Sequence, residues 1–351
     1  MTDLLRDRTD SPPIAAAYSA AEAAAQAAGV TIRSLDSVSE LEAVRRLYEQ
    51  IWRTGENSPP VTADLLRALT KAGSYVSGAF DGDELVGSCF GFFSPPAREA
   101  LHSHIAGVLP RLRRRNVGFA LKLHQRAWTM AHGVNEICWT YDPLVRRNAY
   151  FNIAKLGAEP AEYLPDFYGP IDDDINRSDD SDRILVRWHL TSPAVESACA
   201  GGPRLIDAQA ARAAGASVAL SVSPTGAPAV APVVARADDG HADTVLVAVP
   251  EDIESLRESD PACAAHWRTA VRDVLHGLLA EGARVRGFDR AGWYVVDRGS
   301  PTHPTHPTHP THPTAASTRR TAQQNGTHQN GTHRHETHHG EASDAASKET
   351  A

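Results

Sequence analysis

The run from Ala100 to Trp128, ALHSHIAGVLPRLRRRNVGFALKLHQRAW, constrains this chain more than any other stretch. A strand-like apolar segment stops at Pro110. Three consecutive arginines follow, Arg113 to Arg115, then the small turn Asn116-Val117-Gly118, and at once an amphipathic helical pattern. Arginine does not cap helices, and a basic cluster at a helix start opposes the macrodipole, whose N-terminal end is already positive. A bound anion reverses that sign, because free N–H groups, dipole and arginines then all favour it. The plainer alternative is a solvated basic turn between core elements.

The elements around this turn follow from periodicity and punctuation. A short β run at 30–34 precedes a helix with Leu41, Val44, Leu47, Tyr48 and Ile51 on one face. A second helix, VTADLLRALTKAG, has Thr62 as its N-cap and Gly73 as its stop. Three strand-like runs come next, SYVSGAF, ELVGSCFGFF and ALHSHIAGVL, with FDGDEL supplying the turn between the first two. The helix over 117–132 ends at Gly133 and leads to the strand EICWTY, a helix through RNAYFNIAKLG and the strand RILVRWHL. Together these predict an α/β (α+β mixed sheet) domain over 30–190. A composition break at 191–204 reads as a linker, and 205–299 reads as a smaller β-α-β-β unit containing TVLVAVP, RVRGF and GWYVVD. Residues 1–29 are polar and then alanine-rich, and read as a poorly ordered extension.

From 300 to 351 the chemistry collapses. PTHPTHPTHPTHPT repeats every three residues, and the remainder is Thr, His, Asn, Gly and Glu with almost no apolar side chain. Such a segment cannot bury enough surface to offset its ordering entropy, so it is expected to be disordered. Its repeat matches polyproline II and would space the histidines about 9 Å apart, too far for a compact metal site. The nine tail histidines are expected to bind nickel or zinc only weakly. The NGT triplets at Asn325 and Asn330 match a glycosylation sequon that has no role in a chain read as cytoplasmic.

Charge and cysteine usage exclude some classes. A formal net charge of −8 argues against a general nucleic-acid binder. No run approaches the roughly 18 apolar residues of a membrane span, and MTDLLRDRTD lacks the basic start and apolar region of a signal peptide. The four scattered cysteines, Cys89, Cys138, Cys199 and Cys263, read as reduced thiols without metal spacing. No metal is expected.

The order strand, basic turn, helix, strand, helix with KLGA, strand resembles the GNAT superfamily of acyl-CoA-dependent N-acyltransferases. The resemblance rests on VLPRLRRRNVGFALK, where members carry Arg/Gln-x-x-Gly-x-Gly/Ala after a strand ending in V-x-P. Two registers fit: Arg113-x-x-Asn116-x-Gly118, with Asn in place of the first glycine, or Arg115-x-x-Gly118-x-Ala120. The strand-to-turn distance favours the first, and Asn tolerates left-handed backbone better than other non-glycine residues. Context in HSHIAGVLP, WTYDPLVRRNAYFNIAKLGA, DFYG and SDRILVRWHL is similar to one bacterial-type branch, the uncharacterised predicted acetyltransferases, over roughly 30–298.

The resemblance implies acetyl-CoA or another acyl-CoA, such as succinyl-CoA, as cosubstrate and a small-molecule amine, such as an amino acid's, as acceptor. It places the pyrophosphate on backbone N–H groups from Arg114 through Arg115, Asn116, Val117 and Gly118 to Phe119, counts the motif positions Arg113 and Ala120 with the cofactor-binding residues, lets the neighbouring arginines add charge at the 3′-phosphate, and sets pantetheine beside Ala106 to Val108. The N–H near Val108 would meet the oxyanion. His104 is the candidate base: it stands four residues before Val108, which predicts a shared face, and its reference pKa suits neutral proton transfer. His102 is a second choice, and a positioning or purely sheet-bound histidine is the bland reading. Relatives use a tyrosine four residues before the glycine of KLG, where this chain has Ile153. The acid role would then fall to Tyr150 or Tyr141, or to solvent. Asn148 reads equally as a substrate ligand or a helix cap, and Asp142 as an ion-pair partner of Arg183.

Three functions compete. The first is amine acyltransfer by direct attack on the thioester. The second is a catalytically weak CoA-binding regulatory module, which the missing tyrosine favours. The third is a nucleic-acid or phospho-ligand binder using RLRRR, against which the acidic balance counts. A homodimer is compatible with each of them.

Overall fold

A computed structural model describes residues 11–54, 59–169, 179–232 and 244–299. The expectations for the tail, its histidines and its NGT triplets lie outside them. The described residues belong to one compact unit, Met1–Pro304.

A seven-stranded sheet is built from β1 (Thr31–Ser34), β2 (Tyr75–Asp81), β3 (Glu84–Phe93), β4 (Ala100–Val108), β5 (Glu136–Tyr141), β6 (Glu159–Leu164) and β7 (Arg183–His189). Its order is β1-β2-β3-β4-β5-β7-β6, and every pair is antiparallel except β4–β5. Gly82, at φ 61°, turns β2 into β3. β6, written EPAEYL, shows why it escaped the pattern: a proline and two glutamates suit only an edge strand.

Near the start of the chain, α1 (Pro12–Ala28) corrects the expectation of a poorly ordered arm. Ala17, Ala21, Ala25 and Ala28 recur at helical spacing, and all four are buried. Side chains this small let two helix backbones approach closely, so alanine alone makes a packing face. α1 lies along α4 (Val117–Ala131), the helix that follows the basic turn. Between them in sequence, α2 (Val38–Trp52) buries the five residues its periodicity picks out and begins with a Ser37/Glu40 capping box. α3 (Ala63–Lys71) starts after Thr62, whose side chain makes no capping bond, and Gly73 follows its end at φ 91°.

α5 (Arg146–Ala149) continues as a π-helical turn over Tyr150–Lys155. The 191–204 segment is no free linker: α6 (Pro193–Cys199) buries Val195, Ala198 and Cys199. Beyond it, α7 (Ala208–Ala213) and β8 (Ser217–Val222), β9 (Pro228–Val230), β10 (Thr244–Ala248), β11 (Arg284–Asp289) and β12 (Trp293–Asp297) give a second sheet in the order β11-β12-β10-β8-β9. It is larger than the predicted β-α-β-β. The long helical region breaks at Asp260-Pro261 into α8 (Ile253–Ser259) and α9 (Pro261–Val271), where Asp260 caps the second helix.

The two sheets share one hydrophobic core, and a buried ionic cluster ties them together. Asp142, just past β5, accepts from Arg257 of α8 at 2.6 Å and from Arg268 of α9 at 2.8 Å. Asp179 takes the same two guanidiniums at 2.9 and 2.8 Å. Asp142 therefore is an ion-pair residue as expected, with Arg257 and Arg268 as its contacts in place of Arg183.

Candidate functional site

β4 and β5 pair only from Ala100↔Glu136 to His102↔Cys138 and then part. From Ser103 to Val108, β4 keeps its ladder to β3 and has none to β5. The Leu109 N–H is spent on Val86 O at 2.9 Å. Alternation along extended backbone turns the N–H groups of Val108 and Ala106 the other way, into the gap. The result is a fork whose one wall is an unpaired strand edge.

At the open end of the fork the chain makes a 3₁₀ turn over Pro110–Arg115 and enters α4. Asn116 holds the left-handed conformation, φ 62° and ψ 19°, which is the first register's glycine position. The amides of Val117 and Gly118, first in the helix, have no intrahelical acceptor. The N–H groups of Phe119 and Ala120 both bond to Asn116 O, at 3.0 and 3.1 Å, so these two leave the expected anion cradle. Gly118 has helical backbone. Outside its own helix and chain neighbours, a Cβ there would meet only Val108 Cγ2, at 3.9 Å. Neither packing nor backbone demands glycine here.

The arginines divide. Arg113 and Arg114 are exposed and have no partner among the described residues. Arg115 is committed: its guanidinium donates to Ala28 O and Gly29 O, at 3.1 and 3.0 Å, and pairs with Asp81 at 2.6 Å. It anchors the end of α1 and is corrected from cofactor ligand to structural clamp. Lys155 takes its place at the turn, donating to Asn116 Oδ1 at 2.8 Å. It is the lysine of KLG, and its burial together with nearby Arg290 depresses its pKa.

His104 stands at a break in β4. The β3–β4 register steps from Phe90↔Ile105 to Gly91↔Ser103, so His104 is the extra residue of a β-bulge. Its ring, open to solvent on one side, is covered on the other by Phe90 at 5.9 Å, Phe92 at 5.8 Å and His102 at 5.7 Å. Val108 turns instead toward Leu121 of α4. The predicted shared face is therefore wrong, because the bulge resets the alternation. Burial pushes both histidines down, His102 to about 4 with the neighbouring His104 contributing. Cys138 Sγ lies 3.8 Å from His102 Nδ1. Burial raises the thiol while it lowers the imidazole, so the pair rests neutral and lacks the thiolate of a covalent nucleophile.

No tyrosine named as an acid reaches the fork. Ile153 is buried in the core. The Tyr141 hydroxyl is 3.3 Å from that of Tyr294, inside the core, where burial raises its pKa strongly. Tyr150 faces the second sheet: it lines a cavity of about 490 Å³ with Ile206, Phe288 and Arg290, whose guanidinium is 5.8 Å from its ring. Asn148 is not the cap, since Val145 occupies that position; its half-buried side-chain amide has no partner among the described residues.

The protonated group that does reach the fork went unnoticed in the sequence. Lys122 is almost fully buried on α4, with Nζ 3.0 Å from Ser103 Oγ, 2.9 Å from Gln125 Oε1 and 3.7 Å from the Trp139 ring centre. In the sequence it is one basic residue of a helix that reads as amphipathic. Among the described residues no group of His, Cys, Asp and Glu is placed to hold a metal ion, and no helix is long and apolar enough to cross a membrane.

No protein-family model matches the chain, and no curated protein matches it. Among solved structures it is similar to the ribosomal-protein-S18-alanine N-acetyltransferase of Escherichia coli, at 15% identity and a TM-score of 0.37 over 46% of this chain and 95% of that one. It is also similar to an N-acetyltransferase of Staphylococcus aureus Mu50, at 15% and 0.39 over 46% and 99%. An acetyltransferase of the GNAT family from Streptococcus pneumoniae gives 11% and 0.38 over 45% and 97%. Identities and TM-scores this low add no argument of their own to the geometry of the fork.

Proposed function

We propose that this chain is an acyl-CoA-dependent N-acyltransferase acting on the amine of a small molecule. One observation carries the reading: a parallel strand pair that parts after His102↔Cys138, with unpaired amides along the gap and an anion-ready helix start at its mouth. A thioester carried on a long polar arm with a diphosphate fits that shape. The diphosphate would lie on the Val117 and Gly118 amides, with Arg113, Arg114 and Lys155 around it. The arm would add a strand to the open edge of β4, as an extended peptide adds to a sheet.

Acyl transfer needs little more. The Val108 N–H would donate to the oxyanion as the amine attacks. His104, depressed toward the neutral form, would take the ammonium proton directly or through water. Asn148 is retained as a ligand for the acceptor or the arm. The regulatory-module reading keeps one supporting observation: neither Tyr141 nor Tyr150 reaches the fork.

Calorimetry with acetyl-CoA, followed by a mass-spectrometric screen of amino acids and polyamines with acetyl- and succinyl-CoA, tests the reading. Binding with at least one acylated amine is expected. Binding without turnover across the screen would leave the regulatory module standing, and no binding would remove both.

A further inference from the structure

The turn between β11 and β12, Asp289-Arg290-Ala291-Gly292, belongs to the second sheet and is seated on the first, where β11 packs against the π-helical turn. Asp289 closes it, its carboxylate accepting from the Ala291 N–H at 2.6 Å and its carbonyl from the Gly292 N–H at 2.9 Å. Gly292 holds φ 97°, a backbone that favours glycine. Its carbonyl accepts from the Val249 N–H at 3.0 Å. Arg146, at the start of α5, lies against the same residue so closely that a Cβ on Gly292 would overlap its guanidinium. A tight turn fastened on both sides holds its tip residue in place, and that residue is Arg290.

Arg290 is exposed and has no hydrogen-bond or ion-pair partner among the described residues. Its guanidinium is 5.8 Å from the Tyr150 ring, at the cavity between the two sheets. The two carboxylates lining that cavity are engaged with backbone. Asp289 also accepts from the Ala208 N–H at 2.6 Å, and Asp207 accepts from Gln209 and Ala210 at 2.8 and 2.9 Å, where α7 begins.

Tyr150 is the first residue of the π-helical turn, and Lys155 is its last. Residues five apart in such a turn are joined by its hydrogen bond and stack one above the other. A cation over Tyr150 is therefore a neighbour of Lys155. Burial, and after it the charge of Arg290, pushes the Lys155 pKa down. The Lys155 ammonium in turn donates to Asn116 Oδ1 at 2.8 Å, one residue before the amides of Val117 and Gly118. A row of cations thus leads from the helix start at the fork to the second sheet. Like charges set side by side repel, and an anion between them reverses the sign.

We infer that the second sheet completes the cofactor site: Arg290 holds the 3′-phosphate on the ribose of the acyl-CoA, and Lys155 stands between that phosphate and the diphosphate. The inference rests on the acyltransferase reading, which puts the diphosphate on the Val117 and Gly118 amides. Beyond its diphosphate, CoA carries one further phosphate, on the ribose of its nucleotide. A guanidinium meets a phosphate with two parallel N–H donors, and an ammonium meets it as a point charge.

Dephospho-CoA, which lacks only that phosphate, is the probe. Calorimetry on the full-length protein at low ionic strength, where screening is weak, compares it with CoA. Wild-type protein is expected to bind CoA about tenfold or more tightly than dephospho-CoA. Arg290→Ala, at an exposed position, should fold as the wild type does. It should lose roughly tenfold in CoA affinity and keep its dephospho-CoA affinity within about twofold, so the preference collapses. Arg286→Ala removes an equal charge from an exposed position on β11 and should keep the wild-type preference. An equal loss there would show a general field effect and overturn the inference. So would an Arg290→Ala protein that keeps the preference or weakens for both ligands alike, or a wild type that does not distinguish them. In each of these cases CoA still binds, and the acyltransferase reading is untouched. Failure of CoA to bind wild-type protein would remove that reading first and this inference with it.

Discussion

At the scale of single residues, Gly118 and His104 separate binding from chemistry. Outside its own helix and chain neighbours a Cβ at Gly118 has only Val108 Cγ2 in ordinary contact, so Gly118→Val should fold and yet weaken CoA binding at least tenfold, about 1.4 kcal/mol. Calorimetry on the folded variant checks this; unchanged affinity removes the turn as the anion site. His104→Ala should lower turnover by roughly 10²–10⁴-fold with CoA affinity little changed. The sign of its pH dependence follows from burial. A base works when neutral, and burial moves the imidazole's ionisation below its ordinary value of about 6.5. The acidic limb of kcat/KM should therefore lie on the acid side of that value and flatten in the variant. If His104 only positions the acceptor, the variant raises the acceptor's KM and keeps the limb.

At the scale of elements, the alanine stripe of α1 and the clamp of Arg115 act together. Arg115→Ala removes two bonds to the carbonyls that end α1 and the ion pair with Asp81. The guanidinium is 40% exposed, so solvent screens part of this, and a loss of roughly 1–2 kcal/mol is expected. CoA affinity should not change. A denaturant titration beside a calorimetric one distinguishes a clamp from a ligand, since a phosphate ligand would give the opposite pattern. Ala21→Leu should also destabilise, by roughly 1–3 kcal/mol, because the helix pair has no room for the added carbons. An unshifted melting curve would show α1 to be loosely held. The helices and central strands were legible because apolar residues recur with the period of each element, as in α2. α1 was not, since alanine is equally at home in a loose helix and in a close-packed one, and only a facing helix tells them apart.

At the scale of the whole molecule, the ionic cluster decides how the second sheet is held. Burial pushes the Asp142 carboxyl up, but Arg268 and Arg257 outweigh it and hold it well below the ordinary carboxylate range. The stabilisation is accordingly present above the unfolded carboxyl's pKa and lost as pH falls through the lower folded one. Asp142→Asn leaves two buried guanidiniums sharing Asp179 and should cost roughly 3–5 kcal/mol. Equilibrium unfolding at neutral pH measures this, and a loss below 1 kcal/mol would show the cluster to be solvated. The sequence by itself determined the central strands and helices in their order, the basic turn and the left-handed role of Asn116, because each is a matter of neighbouring residues. Only the tertiary structure decided which arginines are free, that a bulge turns His104 from the face of Val108, and that Lys122 sits at the vertex of the fork. Those facts depend on what lies across space from a side chain, and partners such as Arg115 and Ala28, or Lys122 and Ser103, come together only when the sheet and its helices pack.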